Sequence, residues 1–199
     1  MMREVDCRGL ECPKPVINTK AALAELTEGA VATLVDNPIA RDNVLRLANS
    51  MHLPAEVKEL EGQWQIIITK TAGACCQAAE ALLDPQELSG DYVLFIRGNT
   101  LGRGSDELGG MLMKSLLYTV ANHDKAPQKI CLLNSGVELV CEGSPVLDSF
   151  QLLAEKGVEI IACGTCLDFF HLKEKLAVGR VGNMYDIFDT VAAHRTISI

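Results

Sequence analysis

The residues best equipped for chemistry in this chain are cysteines. In Asp6-Cys7-Arg8-Gly9-Leu10-Glu11-Cys12-Pro13-Lys14-Pro15 a short strand ends, a glycine turn follows and a helix opens on Cys12. Pro13 suits the first turn of a helix, where a missing N–H removes no internal hydrogen bond. A helix start offers unpaired N–H groups and the positive end of the macrodipole, and Arg8 and Lys14 add positive charge. This setting predicts that the Cys12 thiolate forms more readily than that of a free cysteine. A thiolate is the nucleophilic form of sulfur, able to attack a persulfide and carry away its outer sulfur, or the outer selenium of the analogous species. Cys7 reads as a buried strand-end thiol, with resolution of a Cys12 persulfide as the alternative.

A second constellation is Cys163-Gly164-Thr165-Cys166. It follows a predicted strand and opens a predicted helix, so Cys166 has the N–H groups of a helix start, and Gly164 leaves room for backbone or substrate. Three rivals stand beside a sulfur-handling role: thioredoxin-type disulfide exchange, a zinc site, and a buried structural role. No proline follows from Leu167 to Ile199 to supply the cis-proline loop that a thioredoxin would need, and a single CxxC lacks the second pair of a zinc site. Gly98, Gly102 and Gly104 match neither GxGxxG nor a P-loop. They read as a loop bordering the site, from which Arg103 can steer an anionic substrate such as a persulfide or selenide. Cys75-Cys76 offers vicinal thiols for sulfur relay or a soft metal, or two thiols without a role. His52, His123, His171 and His194 share no motif.

The elements that position these residues fall into two groups. The first reads βαβαββ. A helix after Cys12 carries Val16, Ile17, Ala21 and Ala24 at helical spacing, leaving Lys14 and Lys20 wet, and a strand runs over Ala30 to Val35. Asn37 and Pro38 start a helix with Val44, Leu47, Ala48 and Met51 on one face. Ala55 to Leu60 and Gln63 to Lys70 form a hairpin about Glu61-Gly62. From Asp91 strands alternate with helices: Tyr92 to Ile96, a helix from Ser105, Lys129 to Leu133, a helix from Ser144-Pro145 that Gly157 ends, and Val158 to Ala162. A helix over Leu167 to Leu176, a last helix capped by Asn183 and a strand over Arg195 to Ile199 complete it. That alternation implies a parallel sheet with helices on its faces. The fold class expected is α/β, with a two-layer βαβαββ domain over residues 1–72, a linker over 73–90 and a parallel-sheet domain over 91–199.

Asp6, Gly9, Cys12, Pro13 and Pro15 make a CPxP pattern that resembles the TusA-like (SirA-like) sulfur-carrier family, and Asp36-Asn37-Pro38 with Arg41-Asp42 resembles its second landmark. The resemblance implies a motif cysteine that carries a persulfide; Cys7 departs from the pattern. The stretch from Tyr92 onward, through Asn99 to Gly109 and Cys163 to Leu167, resembles the DsrE-like family with its flavodoxin-like layering. The pair of domains is similar to the sulfurtransferase-like proteins of selenium metabolism. These resemblances imply sulfur or selenium donor and acceptor proteins as partners, a cysteine desulfurase among them, and a homo-oligomer formed through the second domain. The chemistry needs no cofactor beyond the transient adduct on cysteine.

Composition sets the remaining limits. Hydrophobic content of 48% excludes a disordered chain, and with aromatics at 5% the cores must rest on aliphatic side chains. A net charge of −8 argues against a nucleic-acid footprint, direct tRNA binding included. No apolar signal segment opens the chain, and Glu80, Glu159 and Asp168 interrupt its most apolar stretches before they could span a bilayer. The expectation is a cytoplasmic protein whose eight cysteines are mostly reduced.

Overall fold

A computed structural model describes residues 2–60, 62–71 and 91–199. The expected linker, with Cys75 and Cys76, lies outside these residues, as does Glu61. The described residues fall into two compact units, one on each side of that gap.

The first unit is built of β1 (Met2–Asp6), α1 (Lys14–Ala24), β2 (Gly29–Val35), α2 (Pro38–Ser50), β3 (Ala55–Leu60) and β4 (Gln63–Lys70), in the sheet order β1-β2-β4-β3. β1 pairs parallel with β2, and β4 runs antiparallel to β2 and β3. The register sets Val31 opposite Ile68, Thr33 opposite Ile66 and Val35 opposite Trp64. Period-two alternation points these six side chains to one face, where they meet Leu23, Val44 and Ala48 from the helices.

Helix α1 buries Pro15, Thr19, Ala22 and Leu23, whereas Ala21 and Ala24 are exposed, so its buried face is rotated from the one predicted. The cause is a buried polar pair. Thr19 donates through its hydroxyl to the Pro15 carbonyl at 2.7 Å, leaving its oxygen to accept from the Thr33 hydroxyl at 2.9 Å. A threonine satisfied in this way can face the core without penalty. Lys70 closes the far end of α1, donating through Nζ to the carbonyls of Leu23 and Leu26.

The second unit contains β5 (Tyr92–Ile96), α3 (Asp106–Ala121), β6 (Lys129–Leu132), α4 (Leu147–Glu155), β7 (Glu159–Cys163), α5 (Gly164–Phe169), β8 (Arg180–Gly182), α6 (Met184–Ala193) and β9 (Arg195–Ser198), with short 3-10 helices at Asn134–Val140 and Lys173–Lys175. The sheet is parallel throughout, in the order β8-β7-β6-β5-β9. Right-handed crossovers therefore put α3 and α4 on one face and α6, whose connection runs back across the sheet, on the other. Met113, Leu117, Phe150 and Leu153 share a core with Ile96, Ile130, Leu132 and Ile160, which the register places on one face of the sheet.

Ser105 and Asn183 cap their helices through side-chain oxygens, as predicted. Three local expectations change. Helix α4 begins at Leu147, three residues after Ser144. The helix predicted over Leu167 to Leu176 is instead α5 with a separate 3-10 turn, because His171 at φ +56° breaks the ladder. Strand β8 was not predicted; Arg180 holds it, gripping Glu159 of β7 at 2.8 Å and Asp186 of α6 at 2.5 Å.

Ile66 is fully buried at the centre of the first sheet. Ile66→Ala is expected to lower that unit's stability by about 2–5 kcal/mol, read as lost amide-exchange protection in β2 and β4 with β5 to β7 unchanged. Equal loss in both units would show that they unfold together.

Candidate functional site

The turn carrying Cys12 is fixed at several points. Cys7 N–H donates to the Leu34 carbonyl at 2.9 Å, which extends the β1–β2 pairing by one residue. Gly9, at φ +69°, then reverses the chain, and its N–H donates to the Asp36 carboxylate at 2.7 Å. The left-handed backbone favours glycine here, and the Asp36 contact ties the turn to the start of α2. Ile17 N–H donates to the Pro13 carbonyl, making Pro13 the N-cap. Helix α1 thus opens at Lys14 with Pro15 in its first turn. Cys12 stands one residue ahead of the cap and is exposed.

Arg8 closes on Asp6, donating through Nε at 2.9 Å and Nη2 at 2.6 Å. These side-chain bonds first, and then the Arg8 backbone N–H at 3.1 Å, hold the Asp6 carboxyl down to about 2. Much of the Arg8 charge is therefore spent inside the turn. Lys14 is exposed at the start of α1. Cys7 is fully buried, and burial first of all pushes its thiol up, in keeping with an inert strand-end residue.

One residue that the sequence did not flag reaches Cys12: Asn43 of α2 donates through Nδ2 to Cys12 Sγ at 3.4 Å. Arg46, one turn on, donates to Asn43 Oδ1 at 3.0 Å. Asn43 directly follows the Arg41-Asp42 landmark, and its spacing of three to Arg46 was the available signal. Arg41 itself pairs with Asp42 at 2.7 Å and lies over the Trp64 ring.

In the second unit the carboxyl ends of β5, β6 and β7 lie side by side. Cys163 ends β7 and is buried. Cys166, in the first turn of α5, is half-buried and accepts the Asn134 N–H at 3.1 Å. Asn134, at φ +51°, turns the chain out of β6. The adjacent Ser135 hydroxyl accepts from the Asn99 N–H at 3.2 Å, and the Asn99 side chain donates to Glu138 at 2.7 Å. This chain of contacts joins the ends of three strands.

Burial, and then the thiol of Cys163, push the Cys166 thiol up against the opposing pull of Asn134 N–H. That direction is opposite to the one expected from a helix start, because α5 is only six residues long and Cys166 is partly desolvated. Gly164 leaves no open space: a Cβ there would meet Val181 at 3.0 Å. Arg103 is exposed between Gly102 and Gly104, both at positive φ. A cavity of about 590 Å³ opens between α3, Glu138–Val146 and Phe170, and neither thiol of the CxxC lines it. Cys131 is buried and pushed up to about 11 by desolvation. Among the described residues no group of three or more His, Cys, Asp or Glu side chains is placed to hold a metal ion, and no helix is long and apolar enough to cross a membrane.

A small α/β unit that presents an exposed cysteine on a proline-bounded turn has the form of a thiol carrier. Residues 3–70 match the family described as Sulfurtransferase TusA. The chain is 38% identical over 71 residues to the "Putative sulfur carrier protein MJ0990" of Methanocaldococcus jannaschii, covering 35% of this chain and 95% of that one. The chain belongs to the TusA sulfur-carrier family through its first unit. The crystal structure of the SirA-like protein DSY4693 from Desulfitobacterium hafniense is 40% identical, covers 35% of this chain and 96% of that one, and superposes with a TM-score of 0.33. The ychN protein of E. coli is 13% identical, with 55% and 98% covered and a TM-score of 0.43.

Two outcomes follow from this geometry. Among the cysteines of the described residues, iodoacetamide at neutral pH is expected to label Cys12 first and Cys166 more slowly, with Cys7, Cys131, Cys141 and Cys163 reacting only on unfolding; peptide mapping checks the order. The Asp6 carboxyl is depressed, so its contribution to stability is present above the ordinary carboxylate value of 3.8 and is lost as pH falls toward about 2. Acid titration of Asp6→Asn should lack that segment of the wild-type unfolding curve. Identical curves would mean that the Arg8 pair contributes nothing in solution, as exposed pairs often do.

Proposed function

We propose that this protein accepts sulfur as a persulfide on Cys12 and delivers it to a second thiol, Cys166 of its CxxC. The observation that carries this reading is the exposed Cys12 sulfur on a turn fixed by Asp36, in a unit belonging to a sulfur-carrier family. In the loading step the Cys12 thiolate attacks the outer sulfur of a donor persulfide. The donor S–S bond breaks, its electron pair leaves on the donor thiolate, and Cys12 keeps the outer sulfur. Delivery repeats the step, with the Cys166 thiolate attacking and Cys12 leaving. No cofactor, oxidant or reductant enters either step, and selenium in the outer position follows the same course.

Cys166 is favoured over Cys163 because it is the more accessible of the two. Their adjacency favours a second reading, in which Cys163 attacks a Cys166 persulfide, releases hydrogen sulfide and leaves a disulfide. The parallel sheet with a cysteine pair at its carboxyl edge supports the DsrE-like resemblance of the second unit. The order of units resembles the sulfurtransferase-like selenium metabolism protein YedF. Partners on this reading are donor and acceptor proteins, a cysteine desulfurase among the donors, in a reducing cytoplasmic setting without nucleic acid. An exposed apolar stripe of Val181, Met184, Tyr185 and Phe188 supports a homo-oligomer through the second unit.

Cys12→Ser is expected to abolish persulfide at position 12 and to reduce loading of the CxxC at least about tenfold when a cysteine desulfurase with cysteine is the source. Wild-type loading of Cys166 in that variant would overturn the relay.

A further inference from the structure

We infer that Asn43, held by Arg46, is a positioning pair for the Cys12 sulfur: its side-chain amide directs an N–H at Sγ and stabilises the thiolate released when Cys12 gives up its outer sulfur. This rests on the carrier reading above. The amide's orientation follows from chemistry. A guanidinium only donates hydrogen bonds, so the Asn43 atom 3.0 Å from Arg46 Nη1 is the oxygen, and the nitrogen faces Cys12 at 3.4 Å. Arg46 thereby fixes which end of the amide the sulfur meets.

The rest of the unit holds this arrangement in place. Asn43 and Arg46 lie one turn apart on α2, between Ala40, Val44 and Ala48, which are buried in the core. Asn37 caps that helix, accepting the Ala40 N–H at 2.8 Å, and neighbouring Asp36 accepts the Gly9 N–H of the Cys12 turn. Donor and sulfur are thus carried by two segments pinned at adjacent residues. Arg8 is closed on Asp6, and the α2 pair supplies a directed donor from across the turn.

When an acceptor attacks the outer sulfur, the S–S bond breaks and its electron pair settles on Cys12 Sγ. Negative charge therefore develops where the Asn43 N–H points. Hydrogen bonds to charged groups are stronger than those to neutral ones, so the amide favours the released state over the loaded one.

The test uses the full chain, loaded with inorganic polysulfide and discharged with cyanide. Cyanide attacks the outer sulfur and departs as thiocyanate, the persulfide proton passes to water, and Cys12 remains as thiolate. Persulfide on the Cys12 peptide is followed by mass against time. Asn43→Ala should slow discharge by about fivefold to tenfold, the weight of one charge-assisted hydrogen bond at an exposed site. Asn43→Asp should be slower still, because a carboxylate opposes the developing thiolate. Arg46→Ala, at an exposed position, should slow discharge about twofold to threefold and add nothing in the Asn43→Ala background, since it acts through the amide. Discharge of a loaded Asn43→Ala chain at the wild-type rate overturns the proposal and leaves the carrier reading standing. If Asn43→Ala does not fold, an unchanged rate in Arg46→Ala overturns it equally. Failure of wild-type Cys12 to load would instead overturn the carrier reading on which the proposal rests.

Discussion

The hydrogen bond from Gly9 N–H to the Asp36 carboxylate is the constraint on which the site depends. Cys12 is on a turn with no regular structure, and such a turn would by itself explore many conformations at the cost of its chemistry. Asp36 is the residue at which β2 gives way to α2, so the bond ties the turn to the point where the second helix departs. The β1–β2 pairing, extended through Cys7, fixes one side of the turn, and the Pro13 cap of α1 fixes the other. The Thr19 and Thr33 hydroxyls then hold α1 in one register over β2. Each contact is modest, but together they hold the turn from both sides while Cys12 stays exposed.

The two thiol environments suit different tasks. Cys12 is open to solvent, as it must be for a partner's persulfide to reach it. Cys166 is half-buried, its thiol is pushed up by desolvation and by Cys163, and a backbone N–H is directed at its sulfur. A thiol of higher pKa is less often ionised, but its thiolate is the stronger nucleophile toward a persulfide. On the proposed relay, handing sulfur from the open site to the sheltered one would move it away from competing small thiols.

The order of elements and their caps were legible because the signals are local. Asn37, Ser105 and Asn183 each cap through an oxygen to a nearby N–H, a contact that spacing alone encodes. The features missed depend on contacts distant in sequence. The buried face of α1 turns on Thr19 meeting Thr33, fourteen residues away, and β8 exists because Arg180 reaches Glu159. The short reach of α5 depends on the left-handed backbone of His171, a conformation that histidine tolerates but that helical spacing does not announce. For the site, Cys12 could be read from its prolines and Cys163 with Cys166 from their spacing. Asn43 offered only its spacing to Arg46, and a helical asparagine with that spacing is unremarkable until α2 is placed beside the turn. The electrostatic expectation for Cys166 failed because burial outweighed a short helix start, and burial is a property of the fold.

The central claim is an order of events: sulfur arrives at Cys12 before any other thiol of the chain. The most direct measurement is a rapid-quench time course on the unaltered protein, given less than one equivalent of isotopically labelled sulfur from a persulfide donor, with the label mapped by mass to individual cysteines. The account predicts label on Cys12 at the earliest times, followed by a fall there that matches a rise on Cys166. Label appearing on Cys166 with no earlier population on Cys12 would contradict it.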